Sequence, residues 1–471
     1  MNRPLLNRRN FLSGTGYGLG ATALGSLLAQ AGHLPGSRGF HHAARAKRVI
    51  LLFQAGGPSQ MDLWDYKPEL EDQRGILLPD SIRRGQRITT MTQRQGRLQV
   101  APTIFKFAQH GQSQRWVSEL LPHTAKVIDD LCVIRSVATN AINHDPGMSF
   151  FQTGSELPGR PSIGAWVHYG LGSENKNLPG YVTLISNGDY DETQPIASKL
   201  WGSGFLPTSH QGIQFRSTGN PVLYLQDPAF HSAARKRRML DTLKAMNEER
   251  MSQTGDTEIE TRIRQYELAY RMQMSVPELT DLKDEPESTY KLYGDDARKP
   301  GTYAANCLLT RRLAERDVRF IQLFHTGWDH HNHVPRDIVP LCRETDQASA
   351  ALIQDLKQRH LLEDTLVVWA GEFGRTIYSQ GELHPTKYGR DHHPLCTSIW
   401  MAGGGVKPGM VYGATDEFCY NVVENRVHVH DVQATILHLL GVNHERLVYK
   451  LQGRRFRLTD IHGHVVKDIL S

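Results

Sequence analysis

The chain has 471 residues and a formal net charge of +5, with 54 Lys and Arg interspersed among 49 Asp and Glu. That pattern excludes the basic stripe of a nucleic-acid binder, and no basic amphipathic segment is long enough to coat a membrane surface. Cys132, Cys307, Cys342, Cys396 and Cys419 are odd in number, widely spaced and without a CxxC pair, so neither a thiolate zinc site nor a disulfide framework is signalled.

Residues 1–31 read as an export signal. Arg8-Arg9-Asn10-Phe11-Leu12 is a twin-arginine pair, the apolar stretch to Leu28 is diluted by glycines, and Ala29-Gln30-Ala31 fits a small-x-small cleavage site. The expectation is delivery of a folded protein to the periplasm or the exterior, any metal being loaded beforehand, with no stable membrane span after cleavage. Residues 32–46 read as a linker and 47–471 as a single domain.

In that domain Arg48 to Phe53 reads as a fully buried strand, stopping in the turn-rich loop Gln54 to Asp62. Residues 66–114 show little periodicity and read as a surface excursion; Trp116 to Ile128 reads as a helix despite Pro122. The strand Leu131 to Ile134 is followed by Ser136, Thr139, Asn140, Asn143, His144 and Asp145. A helix capped near Ser162 runs to Leu171, and Tyr181 to Ile185 is a further strand. Ala234 to Met251 and Thr257 to Met274 form a charged helical pair in an excursion at about 230–300. A helix from Thr302 to Arg316 leads into the strand Phe320 to Phe324, after which come His325, Asp329, His330, His331 and His333. Glu344 to Arg359 reads as a helix. The strand Thr365 to Ala370 then ends in Gly371-Glu372-Phe373-Gly374-Arg375-Thr376. A loop carries Arg390-Asp391-His392-His393-Pro394, Thr397 to Met401 is a strand, and the helix Asp431 to Leu440 ends with Gly441 at C′.

Strands alternating with helices imply an α/β fold, a mostly parallel central sheet flanked by helices on both faces. Ligands of such sheets collect beyond the carboxyl ends of the strands. The polar clusters after Phe53, Ile134, Phe324 and Ala370 all follow strand ends, so parallel neighbours would bring them to one edge. Asp329 and His333 are close enough to share an ion, and His393 is a third donor from a separate loop. One carboxylate and two imidazoles suit zinc, with calcium or manganese as alternatives; an exposed histidine-rich turn is the plain alternative. His330 and His331 are adjacent and seldom face one point, so they are assigned to substrate or support, as is His325. Glu372 is a candidate ligand or base and Arg375 an anion clamp, unless the two are simply a loop ion pair. Asp62, Asn143, His144 and Asp145 complete the pool.

The motifs GGPSQMDLWDYKP, NHDPGMSFFQTG, GRPSIGAWVHYGLG, GWDHHNH, AGEFGRT, GRDHHP, GGGVKPGMVYGATD and LQGRRFRLTD together resemble the bacterial family called domain of unknown function 1501, from about Arg48 to the C-terminus. That family is similar to sulfatases of the alkaline-phosphatase superfamily, which implies one α/β/α domain with a metal-centred esterase site. The resemblance places Asp329, His333 and His393 on one metal site. At the second site Glu372-Phe373 stands where relatives carry an Asp-His pair and Gln54 where an aspartate is usual, with Asp62 as the residue that compensates. Thr139 and Asn140 lie near the position of a nucleophilic threonine before an Asn-His pair, here Asn143-His144. No Cys or Ser lies in a C/S-x-P-x-R motif, so formylglycine chemistry is disfavoured.

The resulting expectation is an exported, metal-dependent hydrolase-like protein acting on an anionic ester, of a sulfated or phosphorylated glycan for instance. Metal-activated water or Thr139 is the nucleophile, Glu372 and Arg375 assist, and Asn143, His144, His330 and His331 contact substrate. The rival is a non-catalytic metal- or glycan-binding protein that keeps the fold; a cell-envelope scaffold is a third class.

Overall fold

The computed structural model describes residues 39–187, 194–216, 221–222, 233–255 and 258–471. The export signal and its cleavage site lie outside them.

Every residue of Arg48–Gln54 (β1) is buried, which explains why this strand reads as an unbroken apolar run. Ile50 and Leu52 pack into one helical layer, and Val49, Leu51 and Phe53 into the other. Burial of each contributes about 1.5–3 kcal/mol, so the strand is anchored from both faces. The other strands used below are β2 (Leu131–Ala138), β3 (Tyr181–Ser186), β4 (Phe320–His325), β5 (Thr365–Ala370), β6 (Gly374–Gln380), β7 (Gly389–His393) and β8 (Thr397–Ala402). The central sheet runs β2-β8-β5-β1-β4-β3. Met410–Tyr412 and Val427–His428 pair with β2, and Ile213–Gln214 with β3.

β3, β4, β1 and β5 are parallel. β8 is antiparallel to both β5 and β2, so β2 runs in the common direction. The sequence expectation of a mostly parallel sheet therefore holds, and the carboxyl ends of β1 to β5 open on one edge. Gln54 is in register with His325, which makes the chain leave β1 and β4 at the same height.

The helices are α1 (His144–Thr153), α2 (Ile163–Leu171), α3 (Ala233–Thr254), α4 (Glu258–Thr280), α5 (Tyr303–Glu315), α6 (Val334–Gln358) and α7 (Val429–Leu439). α1, α2 and α7 cover one face of the sheet and α5 and α6 the other. α3 and α4 form the expected helical pair, tied by the Arg237–Glu267 bridge. Ser162 and Thr302 cap α2 and α5, accepting from the amides of Ala165 and Ala305 at 3.3 and 3.1 Å.

Three stretches differ from their sequence reading. Trp116 to Ile128 is not a helix but the strand Arg115–Ser118 and a 3-10 turn at Thr124–Asp130, with Pro122 between them removing an amide and restricting its predecessor. α6 begins at Val334, well before Glu344, with Pro335 in its first turn, where a missing amide costs nothing. The loop after β5 is the antiparallel hairpin β6–β7. Residues 39–46, at the end of the stretch read as linker, lie along α7: the amides of Arg45 and Ala46 donate to Leu439 O at 2.8 and 2.9 Å. Among the described residues no helix is long and apolar enough to cross a membrane.

Candidate metal centre

At the shared carboxyl edge the chain leaves β1 through Gly56, whose φ of +123° suits glycine and whose position leaves no room for a Cβ, since one would stand 2.5 Å from Asp329 N. This close approach seats the 326–333 loop directly on the end of β1. The Gly56 amide donates to Glu372 Oε1 at 2.9 Å, linking the ends of β1 and β5.

Asp329 lies at the focus. Its Oδ1 is 2.8 Å from His331 Nε2 and 3.4 Å from His392 Nε2, and its Oδ2 is 3.1 Å from His144 Nε2. Oδ1 also accepts from Arg375 Nη2 at 2.5 Å, and Oδ2 from Gln194 Nε2 at 2.9 Å. Ligand atoms of His144, Asp329, His331 and His392 all lie within 4.8 Å of one another. The three histidines come from different places: the first residue of α1, the loop after β4, and β7.

Each imidazole is held from behind. Nδ1 of His144 is 2.5 Å from Glu372 Oε1, Nδ1 of His331 is 2.5 Å from Gln380 Oε1, and Nδ1 of His392 is 2.7 Å from Ile142 O. A carboxylate, an amide oxygen and a backbone carbonyl only accept, so Nδ1 carries the proton in all three rings. In the neutral rings the three Nε2 atoms then present lone pairs to a carboxylate. Those of His144 and His392 are buried and have no hydrogen-bond partner among the described residues. Outward Nδ1–H groups on oxygen acceptors, with inward Nε2 lone pairs, are how protein imidazoles are oriented toward a metal. The donor set fits a divalent ion of the zinc type, imidazole-rich with one carboxylate.

The electrostatics agree. Burial pushes the Asp329 carboxyl upward, but the Arg375 guanidinium beside it overcomes this and holds the group ionised, well below the usual carboxylate range. Burial, assisted by the charge of Arg375, pushes His392 down to about 3, keeping the ring neutral with its Nε2 lone pair unprotonated. For His144 burial acts downward, yet contacts with Asp329 and Glu372 prevail and raise its affinity for a proton. A site that attracts protons at this point attracts a metal cation for the same reason.

The sequence-selected residues divide between this centre and its surroundings. Asp329, His144 and His331 meet in it, and Glu372 stands behind His144. Arg375, fully buried, donates to Gly57 O, Arg390 O, Gly56 O and Asp329, so its guanidinium is held within the protein. His333 caps α6, its Nδ1 accepting from Arg336 N at 3.2 Å. His393 is buried on the opposite side of β7, stacked on Tyr420 with Nε2 2.6 Å from Tyr420 O, and burial pushes its pKa down to about 4. Asp62 forms a buried ion pair with Arg390, Nε to Oδ2 at 2.8 Å. The Thr139 hydroxyl accepts from Ala141 N at 3.4 Å, and Asn143 is the exposed N-cap position of α1. His330 is buried beside Trp328, where burial and the Arg375 charge push it down to about 3. His325 bridges Glu344 Oε2 and Trp328 Nε1, both at 3.0 Å.

Sequence reasoning passed over His392 in favour of His393. Adjacent residues of a strand point to opposite faces, so only recognition of β7 as a strand could have separated them.

Fold and centre together define an α/β protein with a three-histidine, one-aspartate cluster, buried except at His331, at the carboxyl edge of its sheet. The chain belongs to the family described as protein of unknown function DUF1501, whose model matches residues 46–470. No curated protein matches it. Solved structures to which it is similar include the C-terminal periplasmic domain of Escherichia coli EptC in complex with Zn, at 11% identity and a TM-score of 0.35, covering 87% of this chain and 86% of that one. A protein of the alkaline phosphatase superfamily from Vibrio parahaemolyticus matches at 10% identity and 0.35, covering 87% and 70%. The PsFucS1 sulfatase from Pseudoalteromonas sp. matches at 12% identity and 0.33, covering 90% and 70%.

Proposed function

We propose that the protein is an exported, metal-dependent hydrolase-like protein acting on sulfate or phosphate esters, with His144, Asp329, His331 and His392 holding one divalent ion, zinc. The observation that carries this reading is the convergence of three Nε2 lone pairs on an ionised, buried carboxylate while each Nδ1–H is anchored outward. When bound, such an ion supplies Lewis-acid polarisation of an ester oxygen. The chain's own residues do the rest: Glu372 and Ile142 O orient their imidazoles, Arg375 keeps Asp329 ionised, and Phe373, with ring centroids 5.0 and 4.6 Å from His144 and His392, limits water on that side. His331 is the most exposed of the four, which puts substrate on its side. The twin-arginine pair at Arg8-Arg9 supports export of the folded protein, with metal acquired before translocation.

A second reading, a non-catalytic metal-binding protein, is favoured by a specific observation. Four protein donors complete a tetrahedral zinc shell, whereas catalytic zinc sites keep a position open, and both Arg375 and Arg390 are engaged inside the protein rather than free to clamp an anion. Metal analysis of the purified protein, together with a panel of aryl sulfates and phosphate mono- and diesters, separates the two. One equivalent of metal with turnover supports the hydrolase, metal without turnover supports the binding protein, and no metal overturns both.

A further inference from the structure

His392 reaches Asp329 from a place where the β6–β7 ladder is broken. Arg390 pairs with Ser379 and His392 with Arg375, so the register slips between the two and His392 stands out of phase with the first part of the strand. Breaks of this kind re-aim side chains beside functional sites. The residue at the break is Asp391, which is fully buried and whose carboxylate meets the backbone of His392 rather than its ring.

Four groups hold Asp391. Its Oδ1 accepts from the amide of His392 at 2.7 Å, which fixes the plane of the peptide that carries the ring. Its Oδ2 accepts from the hydroxyls of Thr89 and Thr92, each at 2.5 Å. Its own amide donates to Thr376 Oγ1 at 3.0 Å. Thr92 and Asp391 are both fully buried, and Thr89 nearly so. The excursion at residues 66–114, which has little pattern in the sequence, thus sends two hydroxyls across some three hundred residues of chain to the carboxylate next to His392. We propose that Asp391 is a positioning residue for metal binding, and that Thr89 and Thr92 are the clamp that makes the excursion part of the centre. This inference rests on the metal reading given above.

The test is metal uptake by the full chain with Thr89→Val and Thr92→Val together, which keep side-chain volume and remove both hydroxyls. Zinc affinity should fall by roughly 10–100-fold, as when other outer partners of metal-binding imidazoles are lost. The visible spectrum of the cobalt(II)-substituted protein should change, reporting a displaced imidazole, which general loosening of the fold would leave alone. Thr89→Ser with Thr92→Ser, which restore the hydroxyls, should return both signals to wild type. Wild-type protein that takes up neither zinc nor cobalt overturns the metal reading and this inference together. Wild-type uptake with unchanged affinity and spectrum in the valine variant overturns this inference alone, as does a serine variant that matches the valine one.

Discussion

Two buried carboxylates at the same edge of the sheet, Asp62 and Asp329, have opposite surroundings. Asp62 meets Arg390 through Nε at 2.8 Å and Nη2 at 3.3 Å and accepts from Ser59 Oγ at 2.5 Å. Each of these contacts joins a donor to an acceptor, and one positive charge answers one negative. Asp329 also has a guanidinium partner, but three further contacts bring it ring nitrogens whose protons point elsewhere. The first arrangement is closed, whereas the second balances only when a cation stands among the four side chains or when protons replace it. A buried carboxylate with a basic neighbour is thus no guide to function until the protons on its other neighbours are counted.

The largest effect that follows is at the open centre. Asp329→Ala should lower zinc affinity by more than about 100-fold, beyond the loss from any single outer partner; retained binding in equilibrium dialysis would remove the distinction altogether. Next, Asp62→Ala should cost about 3–5 kcal/mol of stability by leaving Arg390 buried and unpaired, while the folded protein keeps its full metal content. A denaturant titration paired with metal analysis measures both, and metal loss on this substitution would show that the closed pair belongs to the centre.

The neighbours His392 and His393 sharpen the contrast within one strand. His392→Ala should weaken zinc binding by at least about tenfold. His393→Ala should leave binding intact and lose about 1–3 kcal/mol through the unsatisfied Tyr420 carbonyl and the missing stack. Reversal of that pattern in calorimetric titrations would put the other face of β7 at the centre. The smallest effect is a control away from both regions. His168 of α2, beside Gly180 at the entry to β3, is pushed down to about 4 from its ordinary 6.5 by burial and the charge of Arg319. The unfolded chain takes the proton first, so the contribution is full above about pH 6.5 and lost as pH falls toward 4. His168→Gln should flatten the dependence of Tm on pH in that window, metal-free protein being compared throughout, and an unchanged slope would exclude His168 as its source.

The sheet was legible because strands buried on both faces leave continuous apolar runs; β1, β2, β3, β4, β5 and β8 all carry one. The hairpin was not, since GRTIYSQ and GRDHH are polar sequences whose burial comes from the site they build. α1 was hidden for a related reason: its opening turn, His144-Asp145-Pro146-Gly147, has the composition of a loop, and the imidazole at its head is placed by Glu372 from another strand. Asp329 was readable as the centre of a polar cluster from its neighbours in sequence. The choice among the histidines depends on strand parity and on which ring nitrogen faces an acceptor, and both are properties of the folded chain.

The reversed direction of β8 has an architectural consequence. A parallel successor to β5 would have needed a crossover back to the opposite end of the sheet, carrying the intervening chain away. Because β8 enters where β5 exits, everything from Gly371 to Cys396 stays at one end of the molecule as a single insert. Such an insert can lengthen, shorten or exchange side chains without disturbing the order of the strands beneath it, so the protein can vary its chemistry independently of its frame.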